Sequence, residues 1–253
     1  MTITVAQIES AGYRAWSPDE VANINGWIVV SNGGFTRRLN SASTTIDAST
    51  SAETGARIET WLSERHASMT IRVTPLVPDE LVDTCAAAWG LSPHDETVVL
   101  VASPSPATDG GVVFVDPGHP AYVEDLFRLN ERSVSGRTAW DRLVERLGPM
   151  GIGLWLPGRA VGLVAVVGGV GLVYSVAVDE AHRRQGLATR VMAGASMWAA
   201  DAAASTMSLQ VVGTNTSGRA LYDSLGYEQL YTYRYLQRPA PSGDRSFEMK
   251  GPP

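Results

Sequence analysis

Cysteine, histidine and positive charge are all scarce in this chain of 253 residues. A single cysteine, Cys85, excludes an internal disulfide and a thiolate zinc site, and a lone thiol favours a cytoplasmic protein. The 4 histidines are scattered without an i,i+4 pair, so we predict no metal site. Because 26 Asp and Glu outnumber 20 Lys and Arg, the net charge of −6 argues against nucleic acid or a membrane surface as partner.

One apolar run approaches the length of a membrane-spanning helix. Residues 161–178 carry no charged side chain, and spans begin at about 18 apolar residues. However, the run is rich in valine and has Gly168 and Gly169 at its middle. Such a pattern is typical of two buried strands joined by a tight turn, so we predict no membrane partner. We also predict no targeting segment, since the start lacks a basic region followed by an apolar stretch.

The second half of the chain predicts an ordered series of helices and strands. Apolar residues make up 44% of the chain, enough for a substantial core in one large or two small domains. The predicted elements are one or two helices over 122–147, strands over 151–156, 160–167 and 172–178, a helix over 186–203, a strand over 207–212, a helix over 215–225 and a strand over 227–237. The tail, 239–253, is rich in Pro, Gly and Ser, and we expect it to be disordered.

The first half repeats much of this order. The predicted elements are strands over 27–30, 36–43, 69–74 and 97–101 and helices over 53–65 and 78–89. An offset of 136 residues places Gly90 on Gly226, both predicted to end helices, and aligns the other elements as well. We therefore predict an α/β fold of two similar halves with mixed sheets, produced by a diverged internal duplication. The predicted domains are 1–102 and 112–238, joined by a linker at 103–111.

Residues 176–189 carry the strongest sign of chemistry. A valine-rich strand end leads into a polar loop with Arg183 and Arg184, and Gly186 opens the next helix. The first turn of a helix offers unpaired amides and a positive dipole, and glycine lets a bulky anion approach them. These features suit a pyrophosphate group. An ordinary solvated basic loop is the alternative, and the local residues alone do not decide between the two.

Two motifs extend this signal. Arg183-Arg-Gln-Gly-Leu-Ala188 resembles the R/Q-x-x-G-x-G/A signature of the GNAT acetyltransferase superfamily. Asn215-Thr-Ser-Gly-Arg-Ala-Leu-Tyr-Asp-Ser-Leu-Gly-Tyr227 resembles the family's N-x4-A-L-Y-x3-G-F segment, with tyrosine in place of the last phenylalanine. The resemblance covers residues 112–238. It implies a GNAT fold for the second half, which the predicted duplication extends to the first, with acetyl-CoA as the acetyl donor, no metal, and an acceptor that is usually a primary amine.

The same resemblance assigns roles to individual residues. The implied cofactor-binding residues are Val176, Ala177 and Val178 along the pantetheine arm, Arg183, Arg184, Gln185, Gly186, Leu187, Ala188 and Thr189 around the pyrophosphate, and Asn215 on the neighbouring helix. Tyr222 matches the tyrosine that protonates the departing thiolate, which a phenol with a pKa near ~10 can do. Alternatively, Tyr222 is a half-buried aromatic residue of an amphipathic helix.

No general base emerges from the sequence. Many GNAT enzymes carry a glutamate on the strand before the pyrophosphate loop, but residues 172–178 contain no carboxylate. A water chain, Glu124 or Glu131 remain open as the base, although both glutamates are better explained as surface charges. In the first half, Asp47 and Thr50 stand at the positions of Arg183 and Gly186. Since an acid there competes with phosphate for the helix amides, we predict that this half lacks a cofactor site.

We therefore predict a cytoplasmic N-acetyltransferase, a monomer or homodimer, that transfers acetyl directly to a primary amine of a small molecule or protein. The alternatives are a non-catalytic acyl-CoA sensor and an interaction scaffold without activity. Net acidity weakly favours a cationic acceptor. The basic segment around Arg37 and Arg38 has two interpretations: contact with an anionic group of the acceptor, or balance of nearby acids.

Overall fold

The computed structural model describes residues 3–33, 35–45, 47–105 and 108–238. Its helices are α1 (Val5–Ala15), α2 (Ala52–Ser63), α3 (Asp79–Trp89), α4 (Pro120–Leu129), α5 (Arg137–Leu147), α6 (Leu187–Asp201) and α7 (Thr216–Ser224). Its strands are β1 (Glu20–Ile24), β2 (Trp27–Ser31), β3 (Ser41–Ser43), β4 (Thr70–Val73), β5 (Ser92–Ala102), β6 (Val113–Val115), β7 (Gly151–Leu156), β8 (Ala160–Val167), β9 (Val170–Val178), β10 (Thr206–Val212) and β11 (Glu228–Gln237). The predicted disorder of 239–253 lies outside the described residues.

All of these strands belong to one mixed sheet, which confirms the α/β class. The strand order is β1-β2-β3-β4-β11-β5-β10-β9-β8-β7-β6. The β3–β4 and β9–β10 pairs are parallel and the other pairs are antiparallel. The parallel pairs are joined by α2 and α6, because a parallel connection must cross over the sheet.

The last strands of the two halves are exchanged at the middle of the sheet. Strand β11 pairs with β4 of the first half, and β5 pairs with β10 of the second. Strands β5 and β11 also pair with each other, from Ser92 with Gln237 to Val101 with Glu228. The sheet therefore runs without a break past residue 102, where the sequence predicts a domain boundary, and that boundary stays a prediction.

The offset of 136 residues also relates the elements of the structure. It places the first residue of β4 on that of β10, and the first residue of β5 on that of β11. Helix α2 falls on α6, and α3 on α7, to within one residue at their starts. Gly90 and Gly226 both follow these last helices with positive φ, 64° and 77°, a conformation that glycine adopts without strain.

Helices cover both faces of the sheet. Because side chains alternate along a strand, Leu163 of β8 packs beneath α1, α4 and α5, whereas Val164 packs beneath α6. Helices α2 and α3 bury a third apolar cluster against β2, β3 and β4. The lone Cys85 is completely buried in this third cluster, and burial raises the pKa of its thiol to about 11. This agrees with the expected role in core packing.

The apolar run at 161–178 forms a hairpin, as predicted. It lies within β8 and β9, and the turn between them contains Gly168 and Gly169, whose φ values are 59° and 79°. Within the described ranges, no helix combines the length and apolar character needed to cross a bilayer.

One predicted strand is wrong, and three elements were not predicted: helix α1 and the strands β1 and β6. Residues 36–43 were expected to be extended, but Arg37–Leu39 form a 3₁₀ turn and only Ser41–Ser43 are a strand. The Asn40 side chain donates hydrogen bonds to the Thr36 carbonyl and to Asn32, which stabilises the turn. Helix α1 and strand β1 also lie where no element was predicted, although Thr4 and Gln7 form a capping box that marks the start of α1.

Candidate active site

The two parallel strands at the centre of the second half separate towards their carboxyl ends. Pairing joins Thr206–Leu209 to Val170–Val173 and stops there, although β9 continues to Val178 and β10 to Val212. Beyond this point β9 remains paired with β8 on its other side. The edge of residues 174–178 that faces β10 is therefore available to pair with an extended ligand.

A β-bulge in β9 lies at this separation. Opposite it in β8, Gly162 stands between partners of Tyr174 and Ala177, so Ser175 and Val176 together oppose one residue. Ser175 has a φ of 53°, which is unusual for a residue with a side chain. Asn130 donates a hydrogen bond to the Ser175 carbonyl (3.4 Å), and Arg132 donates one to its hydroxyl (3.1 Å). Bulges redirect strand side chains and are frequent beside active sites.

The loop after β9 leads to an open helix N-terminus. Arg184 and Gly186 both have positive φ, 62° and 74°, and Gly186 is the N-cap of α6. Glycine has no side chain to cap the first-turn amides, so these amides remain available to an anion. Arg183 and Arg184 are exposed beside them. The geometry therefore suits a phosphate-binding site, as the motif predicted.

Asp179, at the start of this loop, is held by side chains on both sides. Arg128 of α4 donates to its carboxylate (2.7 Å), and His182 lies 3.1 Å from the same group. These hydrogen bonds, the one from Arg128 first, lower the pKa of Asp179 below its ordinary value. The carboxylate therefore stays ionised at neutral pH and stabilises the loop.

Helix α7 faces the loop across the separated strands. Its N-cap is Asn215, whose side-chain oxygen accepts a hydrogen bond from the Gly218 amide (2.8 Å). Tyr222 lies two turns further on, half-buried, with its ring 5.9 Å from that of Tyr227 in an edge-to-face contact. Burial raises the pKa of Tyr222 to about 12. The phenol therefore remains protonated over the whole physiological pH range.

These elements enclose a cavity of about 710 Å³, within the usual range for small-molecule sites. The residues that line it are Trp16, Thr36, Arg38, Leu129, Asn130, Arg132, Val173, Tyr174, Ser175, Val176, Ala177, Val178, Arg183, Arg184, Gly186, Leu187, Ala188, Thr189, Leu209, Gln210, Val211, Val212, Asn215, Ser217, Gly218, Ala220, Leu221 and Tyr222. Of the residues that the motifs implicate, all but Gln185 are in this set, and Gln185 is exposed to solvent.

The cavity offers no carboxylate as a general base. Among the described residues that line it, none is an aspartate, a glutamate or a histidine. Glu124 and Glu131, the carboxylates considered from the sequence, are exposed and lie outside the lining set. They are therefore best explained as surface charges.

The corresponding helix N-terminus of the first half is closed. The Ser51 hydroxyl, at the N-cap of α2, accepts a hydrogen bond from the Thr54 amide, and the Trp89 indole donates to the Ser51 carbonyl. Ala48, three residues before this N-cap, packs closely against Gly26, since a Cβ on Gly26 would lie 2.9 Å from the Ala48 Cα. A side chain therefore caps the first turn of α2, whereas Gly186 offers none at α6.

Sequence reasoning missed the residues at the other end of the cavity. Trp16, Thr36, Arg38, Arg132 and Tyr174 line that end and come from widely separated parts of the chain. The rings of Trp16 and Tyr174 are in contact, with centroids 4.4 Å apart. Only the basic segment around residue 38 gave a signal in the sequence.

A second cavity of about 460 Å³ adjoins this end. Trp16, Arg38 and Gln210 line both cavities, so the two are neighbours across these side chains. The second cavity lies between α1 and the strands β2, β3 and β4, and its wall includes Ile28 and Val30. The first half of the chain therefore contributes to the surroundings of the site.

Comparison with known families and sequences gives concordant matches. Residues 2–236 match the family model described as "Probable histone acetyltransferase Rv0428c C-terminal". A curated relative from Bacillus subtilis (strain 168), described as "Uncharacterized N-acetyltransferase YobR", is 23% identical over 244 residues, which are 91% of this chain and 97% of the relative.

Solved structures share the fold. A GCN5-related N-acetyltransferase from Kribbella flavida superposes with a TM-score of 0.69 at 15% identity, over 95% of this chain and 98% of its own. A tandem GNAT protein from the clavulanic acid biosynthesis pathway superposes with a TM-score of 0.58 at 14% identity, over 94% of this chain and 89% of its own. The second match shows that the arrangement of two halves occurs in another protein with this fold.

Proposed function

The chain belongs to the Rv0428c C-terminal family of GNAT acetyltransferases, and from this premise we propose that it transfers the acetyl group of acetyl-CoA directly to a primary amine. The cofactor lies along Val176–Val178 with its pyrophosphate at Arg183–Thr189, and Asn215 contacts it from α7. Direct transfer needs no covalent intermediate on the enzyme. The amine attacks the thioester carbon, its nitrogen loses a proton, and coenzyme A leaves as the thiolate and takes up a proton.

The separation of β9 and β10 beside an uncapped helix N-terminus is the observation that carries this proposal. An extended pantetheine arm requires an unpaired strand edge, and a pyrophosphate requires free amides and cations. Both requirements are met on one wall of the same cavity. A backbone amide near the bulge at Ser175 and Val176 would polarise the thioester carbonyl as an oxyanion donor does.

Tyr222 is the proposed proton donor to the departing thiolate. It lines the cavity on the side of α7. Its pKa of about 12 keeps the phenol protonated, but it also makes complete transfer to a thiolate of pKa about 8.5 unfavourable. The main contribution expected from Tyr222 is therefore a hydrogen bond that stabilises the thiolate as the C–S bond breaks.

The Tyr222→Phe variant tests this role. General acid groups contribute about 100- to 10,000-fold, and the raised pKa places Tyr222 at the low end, so we expect kcat to fall by about 100-fold. Binding of acetyl-CoA should be unchanged, because the phenyl ring keeps the packing. The measurement is steady-state release of the coenzyme A thiol, together with calorimetric titration of acetyl-CoA.

Tyr227→Phe is the matched control. Tyr227 is buried in contact with Tyr222 but does not line the cavity, so its hydroxyl should have no effect on kcat. Equal losses in the two variants would show that the tyrosine pair acts through packing alone.

An acyl-CoA sensor without turnover is the second candidate. The observation that favours it is the lack of a carboxylate or histidine among the described residues of the cavity wall, since an alkylammonium acceptor must lose a proton before it attacks. The two functions are separated by incubating the protein with acetyl-CoA and primary amines, with mass spectrometry of the amines. Binding of acetyl-CoA without acetylated product would support the sensor.

A further inference from the structure

Buried polar atoms without partners concentrate at the end of the cavity formed by Trp16 and Tyr174. Among the described residues, Thr36 Oγ1, Arg38 Nε and Nη1, Arg132 Nε and the Tyr174 hydroxyl are shielded from solvent and lack a hydrogen-bond partner. All four residues line the cavity. An unsatisfied buried polar group costs free energy comparable to a lost hydrogen bond. Several such groups around one cavity therefore indicate a ligand that accepts hydrogen bonds.

Positive charge at this end exceeds negative charge. Neither Arg38 nor Arg132 forms an ion pair within the part of the chain that the structure describes. The carboxylate of Glu9 is occupied by a bidentate pair with Arg72, at 2.5 and 2.9 Å. Burial without a carboxylate partner lowers the pKa of Arg132 to about 10, so this guanidinium is still charged at neutral pH. Arg38 is attracted by the Glu9 carboxylate, but that carboxylate is already paired with Arg72. Two buried cations thus remain without a carboxylate of their own.

Both cations lie beside the point where acetyl transfer is proposed. Arg132 donates a hydrogen bond to Ser175 in the bulge of β9 (3.1 Å). The Arg38 guanidinium lies 5.5 Å from the centre of the Tyr174 ring, on the preceding residue of the same strand. An anionic group bound between them would therefore be close to the amine that attacks the thioester.

We infer that the acceptor is a small amine that carries a carboxylate near its amino group, as an amino acid does, and that Arg38 and Arg132 bind this carboxylate. This inference rests on the proposed acetyl transfer. The guanidinium fork suits a carboxylate because it donates two parallel hydrogen bonds. The second cavity, with Ile28 and Val30 in its wall, offers apolar space for the remainder of the molecule.

A lysine within a basic protein segment fits this end poorly. Its neighbouring cationic side chains would face two buried guanidinium groups, and like charges at short distance repel.

Arg38 differs from the adjacent Arg37 in its surroundings. Arg37 pairs with Asp95 at 2.6 Å and is absent from the lining of both cavities, among the residues described. Of the two sequence interpretations of this basic segment, charge balance therefore applies to Arg37 and anion contact to Arg38.

The test is a panel of matched acceptors assayed with acetyl-CoA. Each pair differs by the carboxylate alone: L-alanine and ethylamine, L-leucine and 3-methylbutylamine, L-phenylalanine and 2-phenylethylamine. We expect kcat/KM, corrected for the fraction of free amine, to be about 10- to 100-fold higher for the carboxylate-bearing member of a pair. 1-Aminoethylphosphonate in place of L-alanine distinguishes a carboxylate site from a phosphate site, and a lysine-rich peptide represents the basic protein acceptor.

Variants link this preference to the two arginines. Arg38→Gln and Arg132→Gln should each lower the ratio of kcat/KM between the carboxylate-bearing acceptor and its carboxylate-free partner by about 10- to 100-fold. Arg38→Lys keeps the charge and loses the fork, so it should fall between wild type and Arg38→Gln. Arg37→Gln is the control and should leave the preference unchanged.

The outcomes separate this inference from the proposed function. Equal rates within the pairs, or faster transfer to the peptide, would overturn the inference and leave the transferase intact. Faster transfer to the phosphonate than to L-alanine would mean that the two arginines bind a phosphate-like group, and the inferred carboxylate would be wrong. Binding of acetyl-CoA with no transfer to any member of the panel would also count against the inference. Failure to bind acetyl-CoA would overturn the proposed function itself.

Discussion

The Arg183→Glu/Gly186→Asp variant is expected to bind acetyl-CoA at least about 100-fold more weakly than the wild-type chain. The Gly186 N-cap gives a pyrophosphate direct access to the first-turn amides of α6, and Arg183 adds a positive charge beside them. The variant places two carboxylates at this point. They compete with phosphate for the same amides and repel it, and each charge-assisted hydrogen bond lost costs about 1.5–3 kcal/mol.

Calorimetric titration of acetyl-CoA measures both affinity and stoichiometry. We expect one site per wild-type chain, because the N-terminus of α2 is capped by the Ser51 side chain. Thr50→Asp is the matched control, since Thr50 occupies the position of Gly186 in the first half. It should leave the affinity unchanged. Thermal unfolding of each variant checks that the chain is folded.

Two results would contradict this assignment. Two sites per chain would mean that the first half also binds the cofactor. Unchanged affinity in the double variant, with Thr50→Asp also unchanged, would place the pyrophosphate elsewhere, and the role proposed for 183–189 would be wrong.

The part of the cavity wall proposed to bind the cofactor could be located from the sequence because its signal is local. A strand end, a basic loop and a helix N-terminus follow one another within 176–189, so sequence order and spatial order coincide. The same holds for Asn215 and Tyr222, since Asn215 is the N-cap of α7 and Tyr222 lies within that helix. Local conformational preferences decide such segments largely without the rest of the fold.

The acceptor side could not be predicted, because it is assembled by tertiary structure. Trp16 follows α1, Arg38 lies in a 3₁₀ turn, Arg132 follows α4 and Tyr174 lies in β9. No spacing in the sequence relates these four residues. Their proximity depends on α1 and on the turn at 37–39, which are the parts of the first half that sequence reasoning missed or assigned incorrectly.

The exchange of β5 and β11 between the two halves also could not be predicted from local sequence patterns. Both segments were predicted as strands, but alternation of apolar residues does not specify which strand a segment joins. The pairing partners depend on the energy of the complete sheet. As a result, the sequence predicts two separate halves, whereas the structure has one sheet whose central strands come from both.

The Glu9→Gln variant is expected to lower the free energy of unfolding at pH 7 by about 3 kcal/mol, because it leaves the buried Arg72 charge uncompensated. Glu9 of α1 and Arg72 of β4 form a bidentate pair with side chains 19% and 9% exposed. The Tyr231 hydroxyl of β11 donates a third hydrogen bond to the same carboxylate. This cluster therefore ties the first helix to strands from both halves of the chain. Urea unfolding at constant pH measures the loss.

The same cluster should make the wild-type chain less stable in acid. Burial alone would raise the pKa of Glu9, but the hydrogen-bonded Arg72 and Tyr231 outweigh burial and lower it. A carboxyl whose pKa is lower in the folded state stabilises the fold above its unfolded pKa, about 4.3, and this stability is lost as the pH falls through the folded value. The Glu9→Gln chain lacks this contribution, so the difference between the two chains should shrink as the pH falls below about 4.

Glu20→Gln is the control for a surface pair. Glu20 accepts hydrogen bonds from Arg65 (2.8 Å), but its side chain is 55% exposed, so its removal should cost less than about 1 kcal/mol. A similar small loss in Glu9→Gln, or a difference between wild type and Glu9→Gln that does not change between pH 7 and pH 3, would contradict the structural role of the cluster. A large loss confined to Glu9→Gln would instead support the role of this buried pair in holding α1 against the sheet.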